Sequence, residues 1–195
     1  MKHRRAETDG DFYVSPTSDR RQRVKNVRTP FTVVIIFLSI LTACSNNTLA
    51  VQGWRSPTDE ELKSGWRNES DNRYTTVKGD FNGDGVIDEA TLLARTDGSG
   101  FGIFVRLSRG DRSYEIYSLD EISDPKMIST MGIKKAPPGI YKTVCGKNYI
   151  DCQKGEPSEI HIKNEAIEYF KFESAGSLFY WDAASNSFKR IWISD

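Results

Sequence analysis

The segment from Asp80 to Asp88 is where residue type and spacing agree most clearly on a chemistry. Its sequence, Asp-Phe-Asn-Gly-Asp-Gly-Val-Ile-Asp, carries oxygen-bearing side chains at its first, third, fifth and ninth positions. With this spacing, a curled backbone can direct hard oxygen atoms toward one point, as calcium requires. We therefore predict a calcium site. Its ligands would be the side chains of Asp80, Asn82, Asp84 and Asp88 and the backbone carbonyl oxygen of Val86.

Two further positions refine this prediction. Gly85 stands at the sixth position, where calcium loops turn sharply, and Thr91 stands at the twelfth, where an EF-hand has a bidentate Glu. Without that Glu we expect weak binding, with a Kd of roughly 10⁻⁴ to 10⁻³ M unless a distant residue completes the ligand set. The competing interpretation is a solvated turn, because Asp, Asn and Gly all favour turns. It does not account for the spacing.

The run Gly-Asp-Phe-Asn-Gly-Asp-Gly within residues 79–90 resembles the calcium loop of FG-GAP or VCBS-type repeats. Those repeats form β-propeller blades in secreted and surface proteins, and they hold the metal without a Glu at position twelve. The similarity extends over about residues 77–107 and occurs once, which argues against a complete propeller. The chain as a whole resembles small bacterial lipoproteins that carry one such loop.

Residues 1–44 have the pattern of a secretory signal. A basic segment precedes the apolar run 31–43, whose 13 residues are too few for the roughly 20 of a transmembrane helix. The run ends in Leu-Thr-Ala-Cys, which resembles a lipobox, so Cys44 would be acylated and become the first residue of the mature chain. Ser45 follows in place of the Asp that retains lipoproteins in the inner membrane. We expect an outer-membrane lipoprotein that faces the periplasm or is exposed at the cell surface.

Three alternatives concern this leader. Cleavage after Ala43 could leave an unmodified thiol, or the segment could remain as an uncleaved anchor. Because the basic region is long, translation could also start at Val24 or Val27, in which case residues 1–23 would not belong to the protein. After the leader we expect a short tether, residues 45–52, and then one domain, residues 53–195.

The composition of the mature chain excludes one class of partner. Residues 1–44 contain 8 of the 27 basic and 4 of the 27 acidic side chains, which leaves 19 basic and 23 acidic residues. A mildly acidic domain lacks the basic surface that nucleic acids require. At 151 residues it is long enough for a substantial core. With Cys44 acylated, Cys145 and Cys152 remain as one pair. A disulfide is predicted in an oxidising compartment, whereas zinc is disfavoured because no histidine lies nearby.

The rest of the sequence predicts a mainly β fold with antiparallel sheets, arranged as a sandwich or a partial propeller, with two short helices. The helices are expected from Ser56 and over Pro125–Met131, where caps and prolines mark helix starts. Short segments rich in β-branched and aromatic residues alternate with turn residues. They predict strands over residues 73–78, 89–95, 101–109, 113–119, 139–144, 159–163, 167–172, 178–181 and 188–193. The segment 89–95 would also suit a helix.

Catalysis has little support in the sequence. His161 is the only histidine after residue 44 and lies on the polar side of a predicted strand, so no catalytic residue is assigned. We expect a non-enzymatic interaction module attached to the membrane by lipid. The alternative is an inhibitor or immunity protein against a periplasmic cell-wall hydrolase such as a lysozyme. In that case Phe179, Tyr180 and Trp181 would anchor the interface, although a place in the core is the favoured interpretation of these three residues. A cell-wall hydrolase is the least favoured interpretation.

Overall fold

The structure, a computed structural model, describes residues 49–195, and the predicted signal sequence and Cys44 lie outside that range. Within it the chain forms two antiparallel sheets and a separate two-stranded ribbon. The eleven strands are β1 (Trp54–Arg55), β2 (Thr76–Gly79), β3 (Asp88–Arg95), β4 (Phe101–Ser108), β5 (Tyr114–Ile122), β6 (Met131–Ala136), β7 (Gly139–Lys142), β8 (Glu159–Ile162), β9 (Ala166–Lys171), β10 (Gly176–Asp182) and β11 (Ser187–Ser194). The predicted mainly β, antiparallel fold is confirmed.

The first sheet has the order β1–β3–β4–β5, and β2 also pairs with β3. The second sheet has the order β11–β10–β9–β6, while β7 pairs only with β8. Both sheets contribute to one core, in which Leu92 and Ile103 of the first meet Ile167 and Phe179 of the second. The sheets therefore pack face to face as a sandwich, with alternate residues of each strand directed inward.

The outer faces of both sheets are also covered. On the first sheet, Leu49 packs on Leu93 and Phe104, next to the inward-facing Leu92 and Ile103. On the second, the ribbon β7–β8 covers Leu178, whose neighbour Phe179 faces the core. Because β3 is buried on both faces, its sequence Glu-Ala-Thr-Leu-Leu-Ala-Arg lacks the alternation of a half-exposed strand.

The prediction of two short helices needs correction, because the described residues contain no α-helix. The segment after Ser56 forms turns. The Glu61 carboxylate accepts a hydrogen bond from the Thr58 nitrogen, and the Thr58 hydroxyl accepts one from the Glu61 nitrogen, as at the start of a helix. The side chain of Glu61 is also bound to Arg55, and a 3₁₀-helix (Gly65–Glu69) begins where a helix end is expected. The second prediction coincides with a 3₁₀-helix, Pro125–Thr130, which is capped by Asp124 as expected.

Two strands have no counterpart in the sequence prediction, and one begins later than predicted. β1 is too short to give a pattern, and β6 lies in Met-Gly-Ile-Lys-Lys-Ala, where Gly132 favours the end of a helix. The strand expected over residues 73–78 begins only at Thr76, because Arg73 and Tyr74 have positive φ angles of 55° and 57°. The predicted tether includes Leu49, but this residue is only 5% exposed and belongs to the folded domain.

Candidate metal centre

The predicted calcium loop connects β2 to β3. Gly79 and Asp88 form the last pair of the ladder between these strands, so residues 80–87 project beyond the end of the first sheet. Phe81 is the exception within the loop, since its side chain is fully buried in the core between the sheets. An apolar anchor therefore holds a loop whose other side chains are mostly polar.

The carboxylate of Asp80 organises the curl of this loop. Its Oδ1 accepts hydrogen bonds from the backbone nitrogens of Gly83 at 2.8 Å and Asp84 at 3.1 Å. Its Oδ2 accepts another from Gly85 at 2.9 Å. Gly83 and Gly85 have φ angles of +78° and +82°, a conformation that strains residues with a Cβ atom. Sequence and backbone thus agree that the chain wraps around Asp80.

Asn82 and Asp84 lie on the same side of this curl. The Asn82 Oδ1 atom accepts a hydrogen bond from the Asp84 backbone at 3.1 Å, and its Nδ2 donates to Asp84 Oδ2 at 3.0 Å. Asp84 Oδ1 accepts from the Val86 nitrogen at 2.8 Å. Asp84 is therefore hydrogen-bonded to three of the other four predicted ligand residues, namely Asp80, Asn82 and Val86.

Asp88 is placed differently, at the base of the loop, with its side chain only 1% exposed. Its Oδ2 accepts a hydrogen bond from Phe81 at 3.0 Å, and its Oδ1 accepts one from Ser108 of β4 at 2.8 Å. Burial raises the pKa of Asp88 to about 6, and the negative charges of Asp84 and Asp80 act in the same direction. Both oxygens of the predicted fifth ligand are thus already bonded to backbone groups.

The loop collects negative charge. Arg109 is bound to Glu115, which is the main cause that raises the pKa of Arg109, and the charge of Asp84 acts in the same direction. Among residues 49–195, no salt bridge reaches the carboxylates of Asp80, Asp84 or Asp88. Glu89 is turned away, toward Lys78 at 3.7 Å and Arg106 at 3.5 Å. Thr91 is buried within β3. The chain therefore offers no ligand from the tenth or twelfth position of the loop.

The donor set fits calcium by its chemistry, since every predicted ligand atom is a hard oxygen. In the part of the chain that the structure describes, no three His, Cys, Asp or Glu side chains gather as a metal site. The predicted set includes three such side chains, Asp80, Asp84 and Asp88, but Asp88 lies at the base of the loop with both oxygens bonded to backbone nitrogens. Asp80, Asn82, Asp84, Val86 and Asp88 remain the predicted ligands.

A second segment contacts this loop, and no pattern in the sequence indicates it. Asn164 and Glu165, in the turn between β8 and β9, approach the backbone of Phe81 and Asp80. They follow the loop by more than 80 residues and belong to no motif. An Asn-Glu pair between two short strands marks a turn, but only the packing of the two sheets shows what the turn touches.

The cysteine pair lies where the prediction requires it. The Sγ atoms of Cys145 and Cys152 are 2.06 Å apart, which is bonding distance for a disulfide. Cys145 is 4% exposed, and the segment between the two cysteines exposes Tyr149 and Ile150. The pair closes a short loop that presents apolar side chains to solvent.

The aromatic residues predicted as contacts are mostly parts of the fold. Phe179 is 1% exposed in the core, and Trp181 packs edge-on against Tyr117 and Phe188. The favoured expectation, a place in the core, is therefore confirmed for Phe179, while Tyr180 and Trp181 are partly buried. His161 is exposed on the ribbon. The most exposed aromatic side chains described are instead Tyr149 at 56% and Trp192 at 45%.

Comparison with known protein families, with curated proteins and with solved structures gives no match for this chain. Among residues 49–195, no helix is long and apolar enough to cross a bilayer. What the site can do therefore has to be argued from its own geometry.

Proposed function

We propose that this chain is a non-enzymatic bacterial lipoprotein, anchored in the outer membrane by Cys44, whose periplasmic β-sandwich is stabilised by calcium at the loop 80–88. The observation that carries the calcium proposal is that Asp80 and Asn82 are both hydrogen-bonded to Asp84 in one curled loop, whose carboxylates form no salt bridge among the described residues. Neighbouring carboxylates repel one another unless a cation compensates them. The resemblance to FG-GAP and VCBS-type loops supports the same ion.

The role of the ion would be structural. Asp80, Asn82, Asp84 and Asp88 would provide side-chain oxygens, and Val86 its carbonyl oxygen. Bound calcium would supply positive charge to an acidic loop and would thereby stabilise the junction of β2 and β3. Phe81 and Asp88 transmit this stabilisation to the rest of the domain, because both are buried and contact the core or β4.

Thermal unfolding of the domain 45–195 in calcium and in chelator tests the site. A ligand that binds only the folded state stabilises it by about 2.7 kcal/mol at a hundredfold excess over Kd. For a domain of this size we expect the Tm to rise by about 5–10 °C. An equal Tm in calcium and chelator would contradict the proposal.

Asp84→Ala should abolish most of the calcium-dependent rise. Asp111→Ala is the matched control, because Asp111 Oδ1 accepts a backbone hydrogen bond from Ser113 at 2.9 Å, much as Asp84 accepts one from Val86 at 2.8 Å. It lies in a different turn, so its calcium response should equal that of the unaltered protein.

Lipid attachment is tested separately in cells. Cys44→Ala should abolish incorporation of labelled palmitate and shift the protein out of the membrane fraction. A multiply acylated cysteine binds membranes firmly, so partial retention is not expected. Unchanged palmitate incorporation in this variant would contradict the lipoprotein assignment. Membrane association without palmitate would instead indicate that the apolar segment 31–43 remains as an uncleaved anchor.

A second candidate function is inhibition of a periplasmic cell-wall hydrolase, and one observation favours it. The loop closed by Cys145 and Cys152 presents Tyr149 and Ile150, and Trp192 is exposed nearby. Val144 connects them, since its oxygen accepts from the Tyr149 nitrogen at 3.1 Å and its nitrogen donates to the Trp192 oxygen at 3.0 Å. Exposed aromatic residues are frequent anchors of protein interfaces.

The test is inhibition of lysozymes by the purified domain, with Tyr149→Ala as the variant expected to lose it. Tyr114→Ala, a half-buried tyrosine at the start of β5, is the control. Full lysozyme activity in the presence of a micromolar concentration of the domain would eliminate this candidate function.

A further inference from the structure

The turn between β8 and β9 is in contact with the backbone of the calcium loop. Glu165 Oε2 accepts a hydrogen bond from the Asp80 nitrogen at 2.9 Å, and Asn164 Nδ2 lies 3.5 Å from the Phe81 oxygen. The turn and the loop approach each other so closely that two positions of the loop segment have room only for glycine. A Cβ atom on Gly79 would lie 2.5 Å from Glu165 Oε2, and one on Gly83 would lie 2.8 Å from the Asn164 amide.

The second oxygen of Glu165 is also engaged. Its Oε1 lies 2.6 Å from Lys135 Nζ on β6, and this bond is the main cause that lowers the pKa of Glu165. A chain of contacts thus runs from Asp80 at the end of the first sheet through Glu165 to Lys135 in the second sheet. Glu165 thus holds the backbone of the loop with one carboxylate oxygen and β6 with the other.

We infer that Glu165 is a positioning residue for calcium: it fixes the backbone of Asp80, the first ligand, and couples the metal loop to the second sheet. This inference rests on the proposed calcium site. Partners that orient a ligand are ordinarily needed for full metal affinity, and their loss costs roughly 10- to 100-fold. The coupling is reciprocal, so calcium stabilises the β8–β9 turn as much as that turn favours calcium.

Three variants separate positioning from general stability. Glu165→Ala should weaken calcium binding about tenfold, at the lower end of the range for such partners. Glu165→Gln keeps an oxygen for the Asp80 nitrogen and replaces the oxygen that faces Lys135 by an NH2 group, so it should retain most of the affinity that depends on Asp80. Gly79→Ala retains Glu165 but displaces its carboxylate, and the added Cβ would also lie 2.9 Å from the Phe81 ring, so it should weaken binding at least as much as Glu165→Ala does.

The matched control is Glu168→Ala. Glu168 lies on β9 and pairs with Lys134 of β6 at 3.1 Å, so it joins β6 to the strand that directly follows Glu165. Its side chain is 22% exposed, compared with 29% for Glu165. Glu168 does not contact the loop, so this variant should leave the calcium affinity unchanged.

Calcium titration by calorimetry measures the affinities, and amide hydrogen exchange in chelator gives a readout independent of metal. In Glu165→Ala the amides of Gly83, Asp84 and Gly85 should exchange faster, because their acceptor Asp80 is no longer fixed. Unchanged affinity in Glu165→Ala, or an equal loss in Glu168→Ala, would overturn the inference. If the unaltered domain binds no calcium, the proposed function fails. Unchanged exchange in Glu165→Ala would then overturn the positioning role as well.

Discussion

Arg67 is a buried charge that has no acidic partner among residues 49–195. Its side chain has no exposed surface, and its guanidinium donates to the backbone oxygens of Arg73 and Ile128, both at 2.6 Å, and of Met131 at 2.5 Å. Burial lowers the pKa of Arg67 to about 10, yet the group stays charged at neutral pH. It satisfies carbonyl oxygens before the start of β2 and at the end of the second 3₁₀-helix, where regular hydrogen bonding stops.

Arg67→Lys should therefore destabilise the domain nearly as much as Arg67→Ala. One lysine nitrogen cannot serve three separated carbonyl oxygens, whereas the planar guanidinium can. We expect a loss of about 3 kcal/mol or more in the free energy of unfolding, measured by urea denaturation. Arg112→Lys, at an exposed site, is the control. If Arg67→Lys leaves the domain as stable as the unaltered protein, these bonds contribute little.

Asp88 has a structural role that does not depend on metal. Asp88→Ala leaves the buried nitrogens of Phe81 and Ser108 without an acceptor, so it should cost about 2–4 kcal/mol in chelator as well as in calcium. Urea denaturation under both conditions measures this. Asp84→Ala should lower stability only when calcium is present. If Asp88→Ala lowers the free energy of unfolding only slightly in chelator, Asp88 stabilises the domain only through the metal.

At the level of single residues, the sequence identified the loop but not its support. Asp80, Asn82 and Asp84 are close in sequence, so their spacing carries the signal. Glu165 contacts the same loop only because two sheets pack together, and no local pattern encodes that contact. The burial of Asp88 follows from the pairing of β3 with β4, which is again a tertiary property.

At the level of secondary-structure elements, local sequence patterns gave wrong predictions where tertiary contacts determine the structure. The segment after Ser56 contains the sequence pattern of a helix start, and the structure forms the hydrogen bonds expected for it. The chain then continues into turns and does not form a helix. β6 has two lysines and a glycine in six residues, and it is a strand because it pairs with β9 and lies beside Tyr74, whose oxygen accepts from Ile133 at 2.9 Å. β3, in contrast, is rich in buried residues, and its predicted limits nearly match the observed ones.

The turn after β1 should make stability depend on pH. Hydrogen bonds from Arg55 lower the pKa of Glu61 to about 2, and the Thr58 backbone acts in the same direction. Since the folded pKa is depressed, the contribution is present above the unfolded value of about 4.3 and disappears as the pH falls toward 2.

Glu61→Gln should accordingly cost about 1 kcal/mol at pH 7, a figure reduced because the pair is partly exposed, and almost nothing at a pH of about 2. Urea denaturation at both values measures the difference. Glu60→Gln, in an exposed pair with Lys63, should have little effect at either pH. A cost for Glu61→Gln that is equal at both pH values would contradict the ion-pair explanation.

At the level of the whole molecule, both sheets are covered on their outer faces. The first is covered by the segment that begins at Leu49, and the second by the ribbon β7–β8. The composition and the number of strands predict a sandwich or a partial propeller, but they do not predict these coverings, since residues 49–52, for example, are too few to form a pattern. The coverings explain why central strands are buried on both sides.

Leu49→Ala should lower the free energy of unfolding by about 2–3 kcal/mol, since it opens a gap above Leu93 and Phe104. Chemical denaturation of the domain 45–195 provides the measurement. Ile87→Ala removes an aliphatic side chain that is 60% exposed, so it should change stability by less than about 0.5 kcal/mol. Equal effects of the two substitutions would mean that Leu49 does not pack as described.

The burial of Leu49 fixes how far the domain can stand from a membrane. If Cys44 carries the lipid, five residue steps separate it from Leu49, and a fully extended chain covers at most about 18 Å in five steps. The outer face of the first sheet would then lie close to the lipid headgroups. The ribbon β7–β8 covers the other side of the sandwich. It would be directed away from the bilayer and would face the periplasm.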